Sequence, residues 1–252
     1  MLRIGNGGMS ISEYTSYFSL WSISKSPLII GGDVTNMSQE IFNIYLNTEV
    51  IAINQDPLGI QGKKIKVFPS EITNRVLFTR CSSNDPMKQT QQWIFNSNDK
   101  TIRSIFNNQC LTIDKTNSNQ FITRQCLNND ENQQWTLQEQ ILLSEMFPFP
   151  MKYVNQTIQN NEKNLCLSVE ASSEIWSGPL TNGSQAVLFL NRDHANSTTI
   201  TVNWTDFGWP SNQTGHVRDL WLRKDLGVFS ANYTSQSIQP HAIQMIKITP
   251  IH

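Results

Sequence analysis

The sequence is short of charge, cysteine, histidine and long apolar runs. Only 15% of its residues are Asp, Glu, Lys or Arg, and they nearly cancel to a formal net charge of −1. So small an excess gives no electrostatic footprint for nucleic acid or an anionic membrane surface, and neither is expected as a partner. No apolar run approaches the roughly 20 residues needed to span a bilayer. The opening M-L-R-I-G-N-G-G has no apolar core of its own, so no signal peptide is expected on these residues. The four histidines (His194, His216, His241 and His252) show no metal-ligand spacing, which leaves each as a surface-loop residue and predicts neither metal nor other cofactor. Four cysteines, Cys81, Cys110, Cys126 and Cys166, are compatible with two disulfides but do not by themselves prove an oxidising compartment.

Asparagine, serine and threonine are plentiful instead. Seven Asn-x-Ser/Thr sequons fall at Asn36, Asn155, Asn182, Asn196, Asn203, Asn212 and Asn232. Several would arise by chance in such a composition, but their crowding between 182 and 232, together with the cysteines, points towards a secreted glycoprotein ancestry.

The first sixty-odd residues organise the chain. Ser10-x-x-Glu13 is a capping box, opening a helix with Ile11, Tyr14, Phe18 and Trp21 on one stripe, and Lys25-Ser26-Pro27 stops it. Leu28, Ile29 and Ile30 then read as a short strand buried on both faces. A second helix, capped near Asn36 or Ser38, turns Ile41, Ile44 and Tyr45 inward. This rhythm, with M-L-R-I-G-N-G-G-M, S-P-L-I-I-G-G-D and E-V-I-A-I-N-Q-D-P-L-G-I-Q-G-K-K as its wording, resembles the end of the catalytic barrel of the α-galactosidases. These retaining glycoside hydrolases also include α-N-acetylgalactosaminidases. The resemblance implies residues 1–64 as the last one or two βα units of a (β/α)8 barrel, with most of that barrel unrepresented.

Between Ile65 and Ala171 the texture becomes polar, with short alternating strands. Q-Q-W ends both Cys81–Trp93 and Cys126–Trp135, while C-L-T-I-D starts at Cys110 and C-L-S-V-E at Cys166. This resembles the ricin-type lectin repeat, a β-trefoil lobe, and implies an insertion over 65–171 holding two lobes' worth of sequence. Gln91, Trp93, Asn132, Gln133 and Trp135 are then lobe-core residues or sugar contacts, and core duty is favoured for both tryptophans. The resembled sugar pocket needs an aspartate two residues after the opening Cys, but Thr112 and Ser168 stand there. Arg124 and Gln125, not an aromatic, precede Cys126, and only Asn132-Gln133 survives. The lobe plan also implies the disulfides: Cys110–Cys126 within one lobe, and Cys81–Cys166 joining the insert's two ends.

From Ser172 the strands alternate, each with one buried and one wet face expected. E-I-W-S-G-P-L and V-R-D-L-W resemble the C-terminal antiparallel β-sandwich of the α-galactosidases, which assigns 172–252 to that domain and Trp176, Trp204 and Trp221 to its core. The family's chemistry uses two carboxylates about 5 Å apart. Both are aspartates on earlier barrel strands, so no catalytic residue is expected here, and Asp33 and Asp56 are read as structural. Of the family's sugar-contacting positions only Met1 has a counterpart, offering apolar contact. The resemblance further implies galactosides as ligands, a homodimeric parent and a secreted or lysosomal location. The expected function is that of an α-galactosidase portion inactive alone; a non-catalytic lectin-like module is the alternative.

Overall fold

Ser10 and Glu13 close on each other as their spacing predicts. The Ser10 Oγ accepts from the Glu13 N–H at 3.3 Å, and the Glu13 carboxylate accepts from the Ser10 N–H at 2.7 Å. Helix α1 (Ile11–Ile23) starts there; Ser38 caps α2 (Gln39–Tyr45) and Asn47 caps α3 (Thr48–Gln55) by the same chemistry. The computed structural model describes residues 1–69, 74–83, 86–117, 120–144, 147–160 and 165–251, so His252 lies outside the described residues. Two compact units emerge: Met1–Lys66 with Ser173–His252, and Val67–Ser172.

In the first unit the three helices share one core with a sheet. Tyr14, Phe18, Ile44 and Val50 are buried beside Leu180, Ala186, Leu188 and Met245. The apolar stripe expected on α1 is only part of its buried face: Ser16, Ser19 and Ser22 are buried too, while Ile11 is exposed. These small hydroxyls let the helix approach closely and bond what it meets. Ser16 Oγ lies 2.8 Å from the His241 carbonyl, and Trp221 Nε1 donates to Ser19 Oγ at 2.9 Å.

The sheet has six strands in the order Lys63–Pro69, Ala171–Pro179, Gln185–Asn191, Ile243–Ile251, Thr214–Asp219, Lys224–Ser230. The pairings from Ala171–Pro179 onward are antiparallel. Its central strand Gln185–Asn191 departs from the alternation expected, because every residue in it is buried. Ala186, Leu188 and Leu190 face the helix core, and Phe189 packs on Tyr233 of a two-stranded sheet formed by Thr201–Asn203 and Asn232–Thr234. A strand covered on both sides has no wet face to mark with polar residues. Close packing also explains the glycine of E-I-W-S-G-P-L: a Cβ on Gly178 would stand 2.8 Å from the Gly62 Cα.

Leu28–Ile30 is the clearest departure. Only a single parallel bridge, Leu2 to Ile30, forms there, and the Ile29 and Ile30 side chains are 55% and 44% exposed. An apolar triplet shows that burial on both faces would be favourable; it does not supply the layers that would bury it.

The strands of the second unit pair antiparallel, with short 3-10 turns at Pro86–Gln91 and Glu131–Gln133. Trp93–Asn96, Thr101–Ser104, Cys110–Asp114 and Gln120–Arg124 form one sheet. Val76–Arg80, Leu165–Val169, Thr157–Gln159, Phe147–Val154, Ile141–Ser144 and Thr136–Gln138 form the other. Trp93, Trp135, Ile102, Leu111, Leu142 and Leu167 are among its fully buried side chains. Cys81 is joined to Cys166 and Cys110 to Cys126.

Candidate functional site

The motif residues of the second unit form two copies of one hydrogen-bond network. Gln133 is fully buried; its Oε1 accepts from the Leu127 N–H at 3.0 Å, and its Nε2 donates to the Gln125 carbonyl at 3.0 Å and Thr112 Oγ1 at 3.1 Å. Gln91 repeats the two bonds around Cys81, accepting from the Ser82 N–H at 2.8 Å and donating to the Arg80 carbonyl at 2.9 Å; its third bond differs, going to Thr79 Oγ1 at 2.9 Å two residues before Cys81, where Gln133 uses Thr112 two residues after Cys110. Each glutamine thus bonds the residues just before and just after the cysteine of its motif. Each tryptophan donates to the residue after the partner cysteine: Trp135 Nε1 to Leu111 O at 3.2 Å, Trp93 Nε1 to Leu167 O at 2.9 Å. The strand registers agree as well, with Cys110 opposite Arg124 and Cys166 opposite Thr79, in both cases two residues before the bonded cysteine.

The copies differ in chain order. In one the Cys-Leu strand comes first; in the other it is the last strand of the unit, docked onto the first. That second copy is assembled from the unit's two ends, with the Cys81–Cys166 disulfide as its clasp.

In neither copy are the hydroxyls at the motif positions open to a ligand. Thr112, Ser168 and Thr90 are each 2% exposed or less. Thr90 and Ser168 hydroxyls bond each other at 2.7 Å, and Thr112 donates to the Cys110 carbonyl at 3.0 Å. Asn132 Nδ2 donates to Asp130, leaving its Oδ1 buried without a partner. With their hydrogens already given to partners inside the fold and their oxygens buried, these hydroxyls cannot donate to a ligand oxygen without losing an internal bond. Gln91, Trp93, Gln133 and Trp135 are therefore internal braces; the partners that complete them (Thr79, Thr112, Gln125, Leu167) carry no sequence signal beyond their offset from a cysteine.

Five carboxylates of the first unit are equally committed. Asp33 accepts from the Thr35 N–H and hydroxyl, bonds that hold its pKa below the usual range. Asp56 accepts from the N–H of Leu58 and from the N–H and hydroxyl of Thr181. Partial desolvation raises its pKa, but these donors and the nearby Lys25 outweigh it and the net direction is down. Glu174, 2% exposed, takes Lys64, Arg192 and Trp176 Nε1 at 2.9–3.1 Å. Glu49 and Arg218 make a bidentate pair at 2.7 Å, extended to Asp225 at 3.1 Å. Asp219 accepts from the Trp221 and Leu222 N–H groups and from Gln244.

A cavity of about 470 Å³ in this unit, floored by Ile44 and Trp221, carries one carboxylate, Glu40. One of about 460 Å³ in the second unit, between Asn74 and Arg124, also carries one, Asp114. Met1 is 71% exposed. Among the described residues no three His, Cys, Asp or Glu side chains gather where they could hold a metal, and no helix is long and apolar enough to cross a membrane.

Comparison with known proteins follows these divisions. Residues 170–248 match the alpha galactosidase C-terminal beta sandwich domain, 61–143 the ricin-type beta-trefoil lectin domain, and 1–56 the alpha galactosidase A family. Alpha-galactosidase 2 of Arabidopsis thaliana is 56% identical over 249 residues, spanning 99% of this chain and 37% of that protein. A probable alpha-galactosidase of Dictyostelium discoideum is 28% identical over 99% of this chain and 39% of its own length. The chain thus spans between a third and two fifths of these relatives. Among solved structures, alpha-galactosidase I of Mortierella vinacea superposes on 98% of this chain and 38% of its own, with a TM-score of 0.53 at 22% identity, a likeness of fold.

Proposed function

We propose, from the premise that this chain belongs to the α-galactosidase family with a ricin-type lectin segment set into it, that its 252 residues buttress the active site of a retaining α-galactoside hydrolase rather than carry out its chemistry. Retaining hydrolysis of a terminal α-galactosyl residue needs a carboxylate nucleophile and a second carboxyl acid/base about 5 Å away, facing one sugar. The observation that carries the reading is the state of the carboxylates: those at Asp33, Asp56, Glu49, Glu174 and Asp219 are held by backbone, hydroxyl or cationic partners, and each of the two cavities has a single one.

In this reading α1–α3 and the Leu2–Ile30 bridge are the closing part of a (β/α)8 barrel. The sandwich sheet buries their inner face, and the exposed Ile29 and Ile30 belong against further barrel strands. The second unit is a closed pair of β-trefoil lobes whose galactose positions have turned inward. The clasped cysteines and the exposed sequon asparagines Asn36, Asn155, Asn182, Asn212 and Asn232 suit a secreted or lysosomal glycoprotein.

The test is a chromogenic α-galactoside assay of the purified chain beside a fusion that joins it to the remaining sequence of the Arabidopsis relative. The fusion should turn over and the chain alone should not; removing catalytic groups that act as a unit costs factors of about a million. Turnover by the chain alone within about a hundredfold of the fusion would overturn the proposal.

A further inference from the structure

We propose that His194 and His241 form a two-imidazole chelate for a divalent transition-metal ion, Cu²⁺ before Ni²⁺ or Zn²⁺. The residues are 47 apart in sequence, yet His194 Nδ1 and His241 Nε2 face each other at 3.0 Å, with ring centroids 4.8 Å apart. With metal–nitrogen bonds of about 2.0–2.1 Å, that separation corresponds to a ligand–metal–ligand angle of about 91–97°, which suits square or octahedral coordination. A tetrahedral Zn²⁺ would need the rings to open by roughly 0.3 Å.

Both residues stand on braced backbone. His194 lies in a turn where the buried Asp193 accepts from the Ala195 and Asn196 N–H groups, and Asn191 bonds the Asn196 and Ile238 carbonyls. The His241 carbonyl receives the Ser16 hydroxyl of α1, and the neighbouring Ala242 carbonyl receives the Asn191 N–H. The backbone at both histidines is thus fixed before binding, which lowers the cost of chelation, and only the rings turn to aim both lone pairs at the metal. The Glu13 carboxylate interacts electrostatically with His241, and a negative charge there favours a bound cation.

On binding, the metal takes the place of the hydrogen shared between the rings. The proton on the bridging nitrogen of one ring moves, through water, to that ring's outer nitrogen, and both imidazoles stay neutral. Water fills the remaining coordination positions. Because protons compete for the same lone pairs, binding weakens in acid.

The experiment titrates the whole chain with CuCl₂ by calorimetry and by electron paramagnetic resonance. One equivalent should bind with two nitrogens in the spectrum. His194→Ala and His241→Asn, the latter chosen because Asn tolerates the positive φ of 59° there, should each weaken binding about tenfold or more. His216→Ala should bind as the parent does, and all variants should keep the parent's near-ultraviolet circular dichroism. Binding within threefold of the parent in either of the first two variants, or its loss in His216→Ala, would overturn the proposal.

Discussion

Replacing Gln133 by Leu should destabilise the second unit by about 1.5–4.5 kcal/mol. The side chain is fully buried and makes three hydrogen bonds, to the Leu127 N–H, the Gln125 carbonyl and Thr112 Oγ1. Leucine fills nearly the same volume, so the cavity contribution is small and the loss is that of the bonds. Three such bonds at about 0.5–1.5 kcal/mol each set the range. Residues 125 and 127 are exposed, so water can reach part of what is orphaned, and the lower half of the range is expected. Because Gln91 makes the same three kinds of bond around Cys81, Gln91→Leu should cost within about 1 kcal/mol of Gln133→Leu. Hydrogen exchange by mass spectrometry on the full chain measures this directly. Peptides covering 120–140 should lose protection in Gln133→Leu, whereas those covering 185–191 should not change. Unaltered protection in the second unit, or a cost below about 0.5 kcal/mol in both variants, would refute the braced-repeat argument.

Other consequences follow from the same contacts. Gly178→Ala puts a methyl against the Gly62 backbone and should lower the stability of the first unit by about 1–3 kcal/mol, read as a drop in its thermal midpoint. Removing the Cys81–Cys166 disulfide (Cys→Ser at both) should cost more than removing Cys110–Cys126, since the closed loops span 85 and 16 residues; the chain-entropy relation gives about 4.6 against about 3.1 kcal/mol. Equal urea midpoints for the two double variants would contradict this. The Asp56 carboxyl is depressed in the fold, so its tie to Thr181 is fully present above the ordinary carboxylate pKa of about 3.9 and is lost as pH falls through the lower folded value. Asp56→Asn should therefore flatten the acid limb of the stability–pH curve of the first unit, and an unchanged limb would sink the assignment. D-galactose should cause no saturable shift in the NMR spectrum of the chain, because Thr90, Thr112 and Ser168 are bonded internally; a saturable response confined to their amides would restore the lectin reading.

Local chemistry made much of this molecule readable before any contact was known. Capping residues announce helix starts because an orphan N–H must find a nearby acceptor, so Ser10 could be placed from spacing and the second cap narrowed to Asn36 or Ser38, whereas the Asn47 cap of α3 went unread. In the Gln-x-Trp words the glutamine likewise bonds the neighbours of a cysteine close by in sequence, while the tryptophan bonds reach across 24 and 74 residues to the Cys-Leu strands. What residues 1–64 pack against was invisible: Tyr14 and Phe18 show that α1 has a buried face but not what covers it, and the bonds of Ser16 to His241 and of Trp221 to Ser19 leave no mark in an apolar stripe. Layers on both faces of Gln185–Asn191, their absence around Leu28–Ile30, and the meeting of His194 with His241 all depend on elements far apart in sequence. Periodicity and spacing record what a residue does to its near neighbours. Which distant surface covers a face, and which side chains end within 3 Å across 47 residues, is decided only when the chain has closed on itself.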